Sequence, residues 1–206
     1  MHISDGVLSP YVVGIGWAIA LPTLAISVRR LRTEQVGAYG VVAAAFFACA
    51  TIHVPVGPFS MHLVLSGIAG LLLGWGALTV VTVGLLLQAL FIGFGGLAVL
   101  GVNISIMALP GAIMGVIGRQ WMKQSSVKKC PWIGSLIGGG TILISAILLY
   151  VTLSTTHTAF IPLAKLVFLG HIPIAIVEGI ISFWLVHFLQ KVKPSLLGGL
   201  NTMSLS

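Results

Sequence analysis

The sequence carries very little charge for its length. Asp and Glu together contribute three residues and Lys and Arg ten, so charged side chains make up 6% of the 206 residues. Soluble globular proteins carry about 25% charged residues, which excludes a water-exposed surface of ordinary composition for this chain. Hydrophobic residues reach 58%, and this fraction excludes an intrinsically disordered protein, because disorder requires low hydrophobicity.

Long stretches lack charge altogether. Residues 35–118 contain no Asp, Glu, Lys or Arg, whereas one bilayer-spanning helix needs only about 20 apolar residues. The apolar runs are continuous, which favours helices over the alternating strands of a membrane barrel. We therefore predict an all-α membrane protein, a bundle of about seven transmembrane helices that forms a single domain in the cell (inner) membrane. The predicted spans cover approximately residues 11–28, 36–54, 61–73, 77–93, 103–118, 131–153 and 173–190.

The basic residues predict the orientation of these spans, because cytoplasmic loops of membrane proteins are enriched in Lys and Arg. With seven spans and an external N-terminus, the C-terminus is cytoplasmic and only Lys165 lies among the external segments. The basic residues form no nucleic-acid-binding motif, so we expect membrane lipid and no nucleic acid as a partner. The basic residues on the cytoplasmic side are then Arg29, Arg30, Arg32, Arg119, Lys123, Lys128, Lys129, Lys191 and Lys193.

Cysteine is equally scarce, and common catalytic motifs are lacking. Cys49 lies in an apolar run and Cys130 in a basic loop, so the sequence has neither a disulfide framework nor a CxxC site. No His-Glu-x-x-His signature occurs, and no acidic residue adjoins a histidine, which argues against a metalloenzyme. No Walker phosphate-binding loop occurs either. We predict a non-enzyme whose ATP use, if any, belongs to partner subunits.

The first two residues, Met1 and His2, offer a distinctive set of metal ligands. The terminal amine, the deprotonated amide nitrogen of His2 and Nδ1 of the same imidazole can bind one metal through fused five- and six-membered rings. Planar nitrogen ligands suit Ni(II) or Cu(II), and Co(II) fits if a further ligand adjusts. We expect Met1 to be retained, because an initiator methionine before a bulky histidine is normally not trimmed. For the dipeptide alone, a chance histidine at position two is the simpler interpretation.

A fourth ligand is expected from a histidine on the same side of the membrane. His62 follows the stiff loop of residues 55–60, which contains two prolines and a glycine, and His53 precedes that loop. The predicted spans put both histidines on the external side with His2. Either imidazole can complete the square of nitrogens, and the stiff loop favours His62.

Further short motifs accompany this start. They are Met1-His2-Ile3 with Asp5-Gly6, Gly57-Pro58 with His62-Leu63, Gly95-Gly96-Leu97, Asn103, and His171-Ile172-Pro173 with Glu178-Gly179. In these motifs the chain resembles, over roughly residues 1–190, the CbiM/NikM family. The members of this family are the cobalt/nickel substrate-binding membrane components (S components) of energy-coupling-factor ABC transporters.

The resemblance implies a seven-helix fold whose N-terminus tucks into the bundle. It implies that the amine of Met1, the amide and imidazole of His2, and His62 hold Co(II) or Ni(II) as a transported substrate, with no catalytic cofactor. The implied partners are a transmembrane coupling subunit and ATP-binding cassette ATPase subunits. Some relatives carry a fused extension with further spans, and because this sequence ends at Ser206 we expect a separate small accessory membrane subunit.

Three polar residues near these motifs have alternative roles. Asp5 can accept the outward N–H of a ligand histidine or form the turn before Gly6. Asn103 can cap the fifth helix or line the metal site. Ser60 is expected to cap the third helix, with a place near the site as the alternative.

Two ionisable residues belong to the last span or its edge. Glu178 is the only acidic residue within a predicted span, and His171 precedes it by seven residues on nearly the same helical face. Ionisable groups inside membranes are functional by default, so the alternative function is an ion- or proton-coupled secondary transporter that uses Glu178. We favour a structural role in which Glu178 is hydrogen-bonded within the bundle.

Overall fold

The structure is a computed structural model that describes residues 2–56 and 59–197, without the side chains of residues 53–61. The helices are α1 Pro10–Arg29, α2 Val36–Thr51, α3 Ser66–Leu73, α4 Gly76–Phe91, α5 Leu100–Asn103, α6 Leu109–Lys123, α7 Cys130–Thr156 and α8 Ile161–Val192. Strands β1 His53–Val56 and β2 Phe59–His62 pair in an antiparallel manner. The fold is therefore helical with one short two-stranded insertion, which the prediction of an all-α chain did not include.

Five segments in the described part of the chain are long and apolar enough to cross a membrane. They are Pro10–Arg29, Thr33–Thr51, Leu100–Lys123, Val127–Thr156 and Thr158–Val192. The predicted third and fourth spans correspond to shorter helices. At about 1.5 Å per residue, α3 is about 12 Å long and α4 about 24 Å, against a hydrocarbon thickness of about 30 Å.

The chain between α2 and α3 differs most from the prediction. α2 ends at Thr51 instead of residue 54, and α3 begins at Ser66 instead of residue 61. The intervening residues include Pro55, which disfavours helix for itself and for the residue before it. Leu65 then adopts a left-handed conformation with a φ of +53°, so a regular helix cannot extend through it and α3 begins at the next residue.

Two prolines lie inside continuous helical segments. A π-helical turn, Ile104–Ala108, joins α5 to α6, so that Pro110 occupies the first turn of α6, where its missing N–H costs no hydrogen bond. α8 runs through Pro173, which was predicted to start the last span. Prolines are tolerated in membrane helices when neighbouring groups satisfy the backbone.

The N-terminal segment packs into the bundle before α1 begins. Ile3 and Leu8 are buried in the main hydrophobic core. Ser9 caps α1, since its hydroxyl accepts the N–H of Val12 at 3.5 Å. These contacts bring His2 next to the loop between α4 and α5.

Close helix contacts fix that loop and its neighbours. The indole N–H of Trp17 in α1 donates to the carbonyl oxygen of Ala98 at 2.8 Å. Gly101 lies against the ring of Trp17, where a side chain would collide at 2.6 Å. α1 and α5 therefore approach each other at the end of the bundle where the chain starts.

Candidate metal centre

Two histidines that lie sixty residues apart in the sequence meet at this end of the bundle. His2 Nδ1 lies 3.2 Å from His62 Nε2, and the two rings stack with centroids 5.0 Å apart and planes 26° apart. Two nitrogens bound to one metal at about 2 Å each lie between about 2.8 and 4 Å apart. The separation of the two nitrogens is therefore compatible with a single bridging ion.

The second nitrogen of His62 fixes the tautomer that such an ion requires. Nδ1 of His62 lies 3.1 Å from the carbonyl oxygen of Leu63 and donates its proton there in the neutral imidazole. Nε2 then carries a lone pair directed at His2. Histidine ligands of metals are commonly oriented in this way, through a hydrogen bond from the other ring nitrogen to a carbonyl.

His2 also presents the nitrogen that an N-terminal chelate would use. Its Nδ1 faces His62, whereas Nε2 is sealed from solvent and makes no hydrogen bond of normal geometry to any residue that the structure describes. The side-chain amide of Gln88 in α4 is fully buried nearby, and neither of its polar atoms has a hydrogen-bond partner of normal geometry among the described residues. Burial lowers the pKa of the His2 imidazole well below its usual value, and nearby positive charge lowers it further. A neutral imidazole is the form that binds metal.

Asn103 holds the residue that follows His2. Its Oδ1 accepts the N–H of Ile3 at 3.0 Å, and its Nδ2 donates to the carbonyl oxygen of Ile3 at 3.0 Å. Gly95, with a φ of +83°, allows this approach, because a Cβ there would lie 3.0 Å from Nδ2 of Asn103. Asn103 ends α5 and precedes the π-helical turn, but its side chain makes no capping hydrogen bond there and lies next to His2 instead.

Asp5 is held by the loop between α4 and α5, and among the described contacts it makes no hydrogen bond to His2 or His62. Its Oδ1 accepts the N–H of Val99 at 3.0 Å, and its own N–H donates to the carbonyl oxygen of Gly95 at 3.3 Å. Gly96 lies against the carboxylate, where any side chain would collide. Of the two predicted roles, the turn before Gly6, which has a φ of +83°, agrees with these contacts.

Glu178 joins α8 to the segment that carries His62. The backbone N–H groups of Val64 and Leu65 donate to its Oε1 at 2.5 and 2.8 Å. The residue is completely buried, and its Oε2 has no hydrogen-bond partner within the described part of the chain. Because α3 has no side-chain cap of its own, this carboxyl group satisfies two of the backbone donors that precede the helix.

The remaining predicted residues have other positions. His171 is buried in α8, with Nδ1 2.6 Å from the carbonyl oxygen of Val167 in the same helix. His53 pairs with His62 in the β1–β2 register, and its side chain lies outside the described part. Ser60 belongs to β2 and cannot cap α3, which begins six residues later. Met1 also lies outside the described residues.

The histidine pair is the nearest approach to a metal site in the described part of the chain. No group of three or more His, Cys, Asp or Glu side chains converges there. Histidine, cysteine and carboxylate side chains therefore supply only two ligand atoms among the described residues, Nδ1 of His2 and Nε2 of His62. Further ligands would have to come from other donors, such as the backbone or the terminal amine.

Comparison with known proteins identifies the family of the chain. The sequence model of the family described as "Cobalt uptake substrate-specific transmembrane region" matches residues 2–196. The chain belongs to this CbiM family. With its apolar helices, it is a multi-pass membrane protein.

Individual CbiM relatives agree with this assignment. A Haemophilus influenzae protein, provisionally named a metal transport protein, is 37% identical over 99% of this chain and 100% of its own. The "Cobalt transport protein CbiM" of Sorangium cellulosum is 31% identical over 100% of this chain and 98% of its own. The "Fused nickel transport protein NikMN" of Rhodobacter capsulatus is 33% identical over 55% of this chain and 35% of its own.

A crystal structure of a transition metal transporter shares the fold. It superposes with a TM-score of 0.81 and 24% sequence identity, over 99% of this chain and 100% of that one. At this identity the likeness concerns the arrangement of the helices and not the chemistry of the site.

Sequence reasoning missed one residue of this CbiM chain that the structure brings to the pair. Gln88 is the only amide side chain in α4, within a run of apolar residues. A strongly polar side chain in such a helix needs a hydrogen-bond partner, because a buried polar group without one destabilises the fold. That isolation in the sequence was the signal that could have identified it.

Proposed function

We propose that this chain is the substrate-binding membrane component of an energy-coupling-factor transporter that takes up Co(II) or Ni(II). The observation that carries the proposal is the pairing of His2 Nδ1 with His62 Nε2 at 3.2 Å in a partly buried site. The names of CbiM relatives that transport cobalt and nickel support these two metals as the substrate class.

The proposed ligands are four nitrogens. The amine of Met1, the amide nitrogen of His2 and its Nδ1 form the fused chelate, and His62 Nε2 occupies the fourth equatorial position. The hydrogen bonds of Asn103 to Ile3 support this arrangement, because they hold the backbone directly after His2. Gln88 is proposed to orient the outward nitrogen of His2, as partners of ligand histidines commonly do.

The proposed direction of transport follows from charge. With the metal site external and the C-terminus cytoplasmic, all basic residues except Lys165 lie near the cytoplasmic end of a span.

We propose a transmembrane coupling subunit, ATP-binding cassette ATPase subunits and a small accessory membrane subunit as partners, since the sequence has no nucleotide-binding loop.

The ligand set is tested by metal analysis of purified protein with an unmodified N-terminus. We expect His2→Ala and His62→Ala to reduce bound Ni(II) or Co(II) to background, and His53→Ala to weaken retention less. His187→Ala is the control, because this ring packs against Phe183 in α8. Full retention by His62→Ala contradicts the proposal, and equal loss in His53→Ala reassigns the fourth ligand.

One additional residue before Met1 tests the terminal amine separately. The extension converts the amine into a peptide nitrogen and leaves every side chain in place. We expect metal retention to be lost while the thermal stability of the metal-free protein is unchanged. Full metal binding by the extended chain would contradict the proposed N-terminal chelate but would still be compatible with binding by His2 and His62.

A secondary transporter that uses Glu178 is the alternative. The contacts of Glu178 with the N–H groups of Val64 and Leu65 favour a structural role over a mobile proton carrier. Uptake in vesicles distinguishes the two functions. Metal uptake by an ATPase-dependent transporter continues after the ion gradients are collapsed, whereas metal uptake by an ion- or proton-coupled secondary transporter ceases.

A further inference from the structure

A second concave site lies at the other end of the bundle from the histidine pair. It is a cavity of about 600 Å³ between the C-terminal ends of α1 and α6, the start of α2 and the link from α3 to α4. Gly76 at the first turn of α4 lines it, whereas Gln88 beside His2 lies twelve residues further along that helix, or about 18 Å away. The two sites are therefore separate.

Basic side chains dominate the cavity. Arg30, Arg32, Arg119 and Lys123 line it, and none of its lining residues is acidic. The helix ends compensate only part of this charge. α1, α3 and α6 each point a C-terminus here, with about half a negative elementary charge each, and α2 and α4 each point an N-terminus here, with about half a positive charge each. The helix ends thus sum to about half a negative charge against four basic side chains, so the cavity has a surplus of positive charge that attracts an anion.

Two of the four cations are held in position by the fold. The guanidinium of Arg30 lies over the Trp75 ring, 5.5 Å from its centroid. Arg119 is half-buried and packs against Gly74, where a Cβ would lie 3.1 Å from its Nη1. Gly74 adopts a φ of +59°, which favours glycine. Arginines held in this way can meet an anion without ordering their whole side chains first.

The depth of the cavity indicates which anion it meets. Three apolar segments long enough to span a membrane end or begin at or next to its lining residues, at Arg29, Thr33 and Lys123. The cavity therefore lies where the hydrocarbon region gives way to lipid headgroups, and Tyr39 and Trp75 line it at the depth that such aromatic residues prefer. Guanidinium groups bind phosphate in a bidentate manner, and basic pockets between membrane helices bind anionic headgroups.

We propose that this cavity binds a phosphate group and that its occupant is the headgroup of an anionic phospholipid. The inference depends on the membrane placement of the chain and not on the metal site. Failure of one proposal therefore leaves the other intact.

The test compares two double variants that remove the same charge. Arg32→Gln/Lys123→Gln removes two exposed side chains of the cavity, and Lys128→Gln/Lys129→Gln removes two exposed side chains outside it. Native mass spectrometry of the purified protein titrated with phosphatidylglycerol or phosphatidylcholine measures bound lipid. We expect the cavity variant to bind phosphatidylglycerol about 10- to 30-fold more weakly. The control variant should bind like the native chain, and phosphatidylcholine should bind weakly to all three.

Three results would overturn the proposal. Equal weakening in both double variants indicates a diffuse charge effect and not a site. Displacement of phosphatidylglycerol by inorganic phosphate at equal concentration assigns the cavity to a free anion. Unchanged lipid binding combined with lost assembly of the cavity variant with its partner subunits assigns the cavity to an acidic protein segment. Metal retention and thermal stability, which the cavity substitutions should leave unchanged, serve to establish that each variant is folded.

Discussion

Asn103 joins two segments of chain that are a hundred residues apart. Both of its amide atoms hydrogen-bond to Ile3, and both partners are buried. A buried backbone group left without a partner costs about 1–3 kcal/mol. The energetic weight of Asn103 therefore lies in fixing the backbone beside His2.

We expect Asn103→Ala to weaken metal binding by about 10- to 100-fold, because Ile3 loses both hydrogen bonds. Titration of the purified protein with Ni(II) measures the change. Ser105→Ala is the matched control, since its hydroxyl in the same helical segment donates to the carbonyl oxygens of Gly16 and Gly101 instead. If both variants bind equally well, the hydrogen bonds of Asn103 do not position the site.

The pKa of His2 leads to a dependence of stability on pH. Because burial lowers this pKa in the folded protein, the unfolded chain takes up a proton first as the pH falls through about 6.5. The folded state therefore loses stability on acidification, by up to about 1.4 kcal/mol per pH unit for this group. We expect the metal-free native chain to lose more thermal stability between about pH 7 and pH 5 than His2→Ala does. Parallel losses would contradict the burial of a neutral His2.

At the scale of elements, the segment from β1 to α3 is the part that sequence patterns describe least well. Its residues are as apolar as those of a span, and apolar composition alone does not distinguish a helix from a short buried strand. The partner that stabilises the interruption, Glu178, is more than a hundred residues away. By contrast, the long helices α1 and α7 follow directly from continuous apolar runs with prolines in their first turns.

Glu178 variants test how this segment is held. Glu178→Gln keeps an oxygen that can accept the N–H groups of Val64 and Leu65, whereas Glu178→Ala leaves both without an acceptor. We expect Glu178→Ala to lower the free energy of unfolding by at least about 2 kcal/mol and to lose metal retention. Glu178→Gln should keep most of both.

Ser182→Ala, one turn further along α8 and also buried, is the control for helix packing. Thermal unfolding in detergent and metal analysis measure the two effects. Loss of transport in Glu178→Gln with unchanged metal binding and stability would instead favour the proton-coupled alternative.

The site combines features that the sequence predicts with others that it does not. The pairing of His2 with His62 was predicted from chelate chemistry and from their common side of the membrane, and the structure brings these two side chains together. The roles of Gln88 and of the Gly95–Gly96 turn depend on contacts between segments distant in the sequence. No local pattern encodes such contacts.

At the scale of the whole molecule, the orientation in the membrane can be tested by labelling. In a chain with Cys49 and Cys130 replaced by alanine, a single cysteine is introduced at Lys165 or at Lys128, both exposed. We expect a membrane-impermeant maleimide to label Lys165→Cys in intact cells, and Lys128→Cys only after lysis. The reverse pattern would contradict the proposed external site.

The hydrogen bonds between Glu178 and the residues after His62 have a consequence for biosynthesis. The ribosome makes residues 2–65 long before the helix that carries Glu178. Until α8 enters the bilayer, the backbone N–H groups of Val64 and Leu65, beside the proposed metal site, lack their acceptor. Capture of the ion is therefore expected only after the last helix has been inserted, so that nascent and prematurely terminated chains leave the cellular pool of scarce metal untouched.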